Sequence, residues 1–237
     1  MNLEEFSKKI IMQLDEINID IKKEQVEKMY LYMNYLLEKN KEMNLTAITE
    51  PNDVISKHFV DSATILKYIK ENENVVDIGT GAGFPGIPLK ILNNSINFTL
   101  VDALNKRINF LNEVINNLNI KDIETVHSRI EDFAKNNREE YDSAVSRAVA
   151  PLNVLLEYML PLVKVGGICI CMKGSNIEEI KKSDKALNVL GGKIKKIEEL
   201  YLPETDNKRN IIVVEKIKKT PKQYPRKAGK PSKEPIV

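Results

Sequence analysis

An acidic residue and three glycines stand at alternate positions in D-I-G-T-G-A-G, from Asp77 through Gly79 and Gly81 to Gly83. Glycines so spaced let the chain turn tightly and bring its backbone against a ligand. Read from Gly81, the same stretch is G-A-G-F-P-G, the G-x-G-x-x-G pattern of dinucleotide binding. Read from Asp77, it is a turn with a carboxylate beside it, which suits a positively charged ligand such as a methyl-donating sulfonium. Either ligand would sit at the carboxyl end of a first strand and use a carboxylate at the end of a second for its ribose hydroxyls. Asp102, 19 residues beyond Gly83, fits both.

Three features favour the methyl donor. The run NVVDIG leads straight into Gly79, so the turn begins there and its glycines are Gly79, Gly81 and Gly83. A pyrophosphate needs free N–H groups at the helix start. Pro85 has none, and Phe84 adds bulk where close approach is required. Asp77 at the strand end repels phosphate but would welcome the amino group of a zwitterionic sulfonium ligand.

The elements around these residues alternate. NVVDIG, NFTLVDA, IETVHS, YDSAVSRAV and GGICICMKG read as buried strands. Between and after them PGIPLKIL, NKRINFLNEVINNLN, IEDFAK, PLNVLLEYMLPLV and NIEEIKKSDKALNVL read as helices, the last stopped by Gly191 and Gly192. Five such alternations predict a doubly wound α/β sheet. KIKKIEELYLPE and RNIIVVEKI follow with only a turn-rich TDNK between them, so the sheet ends in an antiparallel hairpin. Residues 1–70 form a helical extension with apolar stripes through Leu3–Ile17, Val26–Leu37 and Ile55–Ile69. The expected organisation is therefore 1–70 extension, 71–219 core domain and 220–237 tail. Four prolines make regular helix or sheet unexpected in the tail and favour an extended surface path.

A chain of 237 residues can bury a substantial core, and 42% hydrophobic with 30% charged residues is an ordinary globular composition. No apolar run spans a bilayer and the N-terminus lacks a signal-peptide layout, so a cytoplasmic protein is expected. Cys169 and Cys171, two apart on one strand face, read as small core residues. His58 and His127 form no ligand motif, and no metal is expected. The net charge of +2 hides an asymmetry: from Lys218 onward seven basic residues face one acid, a tail of +6 on a body of −4. Charge segregated in this way marks a polyanion-binding segment or a solvated tail.

With these motifs placed, the sequence resembles one family: the bacterial small-subunit rRNA guanine-N7 methyltransferases, also called glucose-inhibited division protein B. The matching stretches are NLTAI (44–48), HFVDS (58–62), DIGTGAGFPGIPL (77–89), LVDALNKRINFL (100–111), SRIED (128–132), SRAVAPL (146–152), KG (173–174) and TPKQYPRKAGKP (220–231). The family often has Ser where Ala103 stands and Ala where Ile130 stands. The resemblance implies a Rossmann-like fold with a seven-stranded sheet, S-adenosylmethionine (SAM) as cofactor and 16S rRNA in the small ribosomal subunit as partner. It implies SAM contacts at Gly79, Phe84, Ile130, Glu131 and Arg147, beside Asp77, Gly81, Gly83 and Asp102 from the turn and strand positions. A monomer is expected.

Guanine N7 carries a free lone pair, so no general base is expected and no catalytic residue is assigned beyond positioning, with Arg147 the candidate. The fourth strand ends in SRAVAP rather than an N-P-P-Y type motif, which is consistent with N7 chemistry. Candidate RNA contacts are Lys106, Arg107, Lys173 and Arg209, with Tyr224, Arg226 and Lys227 joining ring and cation in the tail. Deleting the tail is expected to weaken RNA binding more than SAM binding. Methylation of another RNA or a small molecule, a non-catalytic ribosome-binding role and, more distantly, a nicotinamide dehydrogenase remain open alternatives.

Overall fold

The computed structural model describes residues 1–175 and 178–237. Helices α1 (Leu3–Glu16) and α2 (Lys23–Met43) open the chain, and Asn2 caps α1 through a reciprocal capping box with Glu5. Pro51 starts the short α3 (Pro51–Val54). A wide π turn at Ile55–Val60, α4 (Asp61–Ala63) and a 3₁₀ turn at Leu66–Tyr68 follow. The third apolar stripe is thus several short turns rather than one helix. The π turn carries His58.

The sheet is built from β1 (Asn74–Ile78), β2 (Asn97–Asp102), β3 (Ile123–His127), β4 (Tyr141–Arg147), β5 (Val163–Lys173), β6 (Gly192–Tyr201) and β7 (Lys208–Lys216). Helices α5 (Gly86–Leu92), α6 (Asn105–Asn117), α7 (Ile130–Asn136) and α8 (Leu152–Met159) join the first five strands. The spatial order is β3-β2-β1-β4-β5-β7-β6. β1 to β5 pair in parallel, and β7 pairs antiparallel with both β5 and β6. The seven strands and the closing antiparallel hairpin are as the sequence predicts. The chain reverses direction across the sheet between β1 and β4, which opens a crevice at their carboxyl ends.

Strand alternation sends Ile211 and Val213 to one buried layer and Ile212 and Val214 to the other. The first layer takes α5, α6 and the N-terminal helices; the second takes α8 and α10 (Asp184–Leu190). Cys169 and Cys171 lie unpaired in the second layer, and burial pushes the Cys171 thiol up to about 12. The single helix expected over 176–190 is broken: α9 (Glu178–Lys181) and α10 are separated around Ser183, and its first residues, Asn176 and Ile177, lie outside the described residues.

The tail differs from expectation. It forms a short helix, α11 (Lys230–Lys233), and it is latched to the body. Arg138 donates to the Thr220 and Tyr224 carbonyls. Tyr158 pairs with Ser232, Asn153 donates to the Ile236 carbonyl, and Glu131 accepts from the Gly229 amide at 2.8 Å. The prolines exclude long regular elements, but they leave side chains and carbonyls free to pack. No helix among the described residues is long and apolar enough to cross a membrane.

Candidate functional site

A cavity of about 470 Å³ opens at the crevice. Gly79, Gly81, Phe84, Asp102, Ile130 and Arg147 line it, together with Leu45, Thr46 and His58 from the helical extension. Strand ends and extension therefore share one site.

The glycine turn is held from several sides. Val101 accepts from the Gly79 and Thr80 amides at 2.8 and 3.2 Å, and Tyr32 of α2 donates its hydroxyl to the Ala82 carbonyl. Gly79, Gly81 and Gly83 all have positive φ, which favours glycine. They differ in surroundings. A Cβ on Gly83 would stand 2.6 Å from Ile87 Cδ1 and 2.7 Å from the Tyr32 hydroxyl, whereas one on Gly81 would meet none of the described residues within 4 Å. Gly83 is a packing glycine outside the cavity lining; Gly81 leaves open space at the cavity wall.

Asp77 has a task that the sequence does not reveal. It is fully buried and absent from the cavity lining. Its Oδ2 accepts from the Thr80 hydroxyl at 2.7 Å and the Gly86 amide at 2.9 Å, while Oδ1 has no hydrogen-bond partner among the described residues. The carboxylate thus braces the turn and occupies the first N–H of α5, where a phosphate would bind. Burial drives its pKa up to about 7, against the hydrogen bonds from Thr80 and Gly86.

Asp102 closes β2, 3% exposed. It accepts from the Gly81 amide at 3.0 Å, the Leu104 amide at 2.9 Å and Arg107 Nη1 at 3.2 Å. Those bonds use three of roughly four acceptor positions on a carboxylate. Arg107 Nε, on the same wall, is buried without a hydrogen-bond partner among the described residues.

Arg147 ends β4 and is no surface charge. Its Nη1 donates to the Lys57 carbonyl at 2.9 Å and lies 3.3 Å from Asp61 Oδ2; its Nη2 donates to His58 Nδ1 at 2.7 Å. Its guanidinium stands 5.2 Å over the Phe84 ring. His58 stacks on the same ring at 4.3 Å, and Tyr32 stacks on it at 5.3 Å. Phe84 is therefore 4% exposed and mostly committed to protein neighbours. Burial, then the Arg147 charge, lowers the His58 pKa to about 3, so the imidazole is neutral.

The remaining expected residues are placed as follows. Glu131 follows Ile130 but turns from the cavity to the Gly229 amide. Arg209 donates to Asp61 at 3.2 Å, so Asp61 holds two arginines. Lys173 is held by the Ala150 carbonyl at 2.6 Å and Glu179 at 3.0 Å. Arg226 grips the buried Glu157. Tyr224 is half-buried, with its carbonyl bound by Arg138. Lys106 and Lys227 are exposed, although Lys106 also reaches the Met43 carbonyl at 2.8 Å. Thr46, His58 and Asp61 are the site residues that sequence reasoning missed. The stretches NLTAI and HFVDS, which carry part of the family resemblance, were the available signal.

The donor set fits a nucleoside-bearing, phosphate-free cofactor. A carboxylate with one acceptor position left stands at the second strand, Gly81 leaves a cradle that a Cβ would fill, and Asp77 closes the phosphate position. Comparison with known proteins points the same way. A family model described as rRNA small subunit methyltransferase G matches residues 25–212. The chain is 53% identical to the ribosomal RNA small subunit methyltransferase G of Acetivibrio thermocellus, covering 93% of this chain and 92% of that one. It is 48% identical to the protein of the same description from Lactobacillus acidophilus, over 100% of both chains. Among solved structures, a SAM-dependent methyltransferase from Aquifex aeolicus aligns with TM-score 0.52 and 20% identity over 75% of this chain and 97% of that chain. TYW2 from Pyrococcus horikoshii aligns with TM-score 0.55 and 15% identity over 67% and 62%. The two structures share the fold.

Proposed function

Because the chain belongs to the rRNA small subunit methyltransferase G family, we propose that it transfers a methyl group from SAM to N7 of a guanine in 16S rRNA. The observation that carries the chemistry is the closed phosphate position. Asp77 fills the helix start that a dinucleotide would need, while the cavity stays open at Gly81 and Asp102.

Gly79, Gly81, Asp102 and Ile130 are the residues that would hold SAM, with Asp102 accepting from a ribose hydroxyl through its remaining acceptor position. When bound, SAM supplies an electrophilic methyl on a sulfonium. The chain's own part is to orient the base and keep its wall rigid. The Arg147–His58–Phe84 stack, anchored on Asp61, forms that wall. Both lining candidates already serve the protein's own hydrogen bonds. His58 has both nitrogens engaged, and Asp102 is bonded through both oxygens. That arrangement suits a nucleophile with a lone pair already available, as guanine N7 has.

The three-part organisation belongs to this reading. The extension to about residue 70 contributes Leu45, Thr46 and His58 to the cavity, and the 71–219 core contributes the strand ends. For RNA contact we retain the exposed Lys106 and Lys227 as phosphate partners. The buried or paired Lys173, Arg209 and Arg226 act chiefly within the protein.

Incubation with labelled SAM and small ribosomal subunits or their rRNA tests the proposal. Label should appear on RNA, and chemical cleavage at N7-methylguanine should map it to one site. Label on another atom, or none, would overturn the assignment. Calorimetry should give binding of SAM and none of NAD.

A further inference from the structure

The NLTAI segment lies outside every helix and strand, yet it is fixed. Asn44 adopts a left-handed conformation after α2. Asn40 accepts from the Leu45 and Thr46 amides at 2.6 and 2.8 Å and donates to the Thr46 carbonyl at 2.9 Å. This clamp holds Thr46 at the cavity wall.

The hydrogen bonds around the Thr46 hydroxyl run in one direction. A guanidinium can only donate. Arg147 Nη2 therefore donates to His58 Nδ1 at 2.7 Å. A neutral imidazole bonded in this way carries its hydrogen on Nε2. That hydrogen goes to Thr46 Oγ1 at 2.9 Å. The Ile48 amide donates to the same oxygen at 3.1 Å. A hydroxyl has two lone pairs and one hydrogen. Both lone pairs are now used, and among the described residues no acceptor receives the hydrogen.

Resting on the rRNA methyltransferase reading, we propose that Thr46 is a committed hydrogen-bond donor to the substrate base and reads guanine O6 beside the reacting N7. A free threonine hydroxyl can serve either a donor or an acceptor, and so distinguishes bases poorly. Here the Arg147–His58 relay removes that ambivalence. Guanine offers N7 and O6 as acceptors on this edge; adenine offers N7 with an N6 amine donor. A hydroxyl that cannot accept would meet the adenine amine donor to donor. Thr46 belongs to the helical extension, whereas the cofactor candidates lie on the strand ends and the glycine turn.

The test uses the full chain and small-subunit rRNA carrying either guanine or 2-aminopurine at the methylated position. 2-Aminopurine keeps N7 and lacks O6. The wild type should favour guanine in kcat/KM by about tenfold to a hundredfold, the range for one good base contact. Thr46→Val should lower guanine methylation by a similar factor and reduce the preference to within about threefold. Thr46→Ser, which keeps the hydroxyl, should restore it; a purely structural fault would leave the preference intact in every folded variant. SAM affinity by calorimetry should stay within about twofold in all three. A Thr46→Val protein that still prefers guanine as the wild type does would overturn the inference alone. SAM affinity falling in step with kcat/KM would also overturn it, by assigning the hydroxyl to the cofactor. A wild type that leaves the guanine rRNA unmethylated would overturn the proposed methyl transfer itself, and this inference with it.

Discussion

Replacing Arg226 with Ala removes the partner of a buried charge. Glu157 sits on α8 with its side chain 1% exposed, while that of Arg226 is 21% exposed. Arg226 donates from Nε at 2.9 and 3.2 Å and from Nη2 at 2.6 Å, and its backbone amide adds a bond at 2.8 Å. The substitution deletes every side-chain bond and leaves only the amide. Breaking a buried pair on one side costs about 3–5 kcal/mol, most of it the penalty of the stranded charge. The partial exposure of Arg226 places the expected loss near the lower bound, ~3 kcal/mol. The loss has a second route: the tail can undock and let water reach Glu157. Undocking would also free the Gly229 amide from Glu131, whose neighbour Ile130 lines the cavity.

Three measurements on one variant follow. Urea unfolding should give a midpoint lowered by the equivalent of ~3 kcal/mol, or by less if undocking intervenes. Hydrogen exchange should then show the Tyr224 and Gly229 amides losing protection before the sheet does. SAM affinity should fall as well as RNA affinity, because the released segment supports a cavity wall. Glu157→Gln combined with Arg226→Ala should recover a large part of the loss, since no charge is left stranded. Stability within ~1 kcal/mol of wild type, with the tail still protected, would refute the reasoning. This outcome differs from that expected of a tail used only to grip RNA, whose removal would spare SAM binding.

Two further predictions concern the cavity. His58 titrates near 3 in the folded protein, against 6.5 for the free side chain, so the unfolded state binds more protons between these values and stability falls as pH drops through that window. Asp77, raised to about 7 from 3.8, works in the opposite sense between about pH 4 and 7, so the informative quantity is the difference between wild type and His58→Gln. That difference should rise with pH by up to ~1.4 kcal/mol per unit between pH 4 and 6.5, and parallel curves would refute it. With only two histidines in the chain, nitrogen NMR should show one imidazole fixed in the Nε2–H form across this range. The glycines of the turn should separate by role: Gly81→Ala costs only its positive-φ strain, ~1–2 kcal/mol, but obstructs SAM, whereas Gly83→Ala also drives a methyl into Ile87 and Tyr32 and should fail in thermal stability.

What was legible in the sequence was what neighbouring residues decide. Short apolar runs ending in glycine mark the strands, and alternate glycines mark the turn, because both depend on local backbone and burial. Asp102 was placed for the same reason, as the residue that closes its strand. The direction in which a side chain points was not legible. Asp77 stands beside the turn in sequence, yet it folds under it to the Gly86 amide, away from the cavity. Arg147 pairs with Asp61, 86 residues away, and Arg209 reaches the same carboxylate across 148. No spacing rule spans such distances. One clue to the tail was nevertheless present. PLNVLLEYMLPLV is apolar on nearly every side, and a helix of that kind is buried all round, so its one acid needs a cation from elsewhere. Arg226 is that cation, which makes the basic tail part of the folded core before it is anything for RNA. The same reasoning applies to the histidine that formed no motif. His58 is buried neutral between a permanent donor and a threonine, and this position turns an unremarkable side chain into the link that sets the polarity of the site.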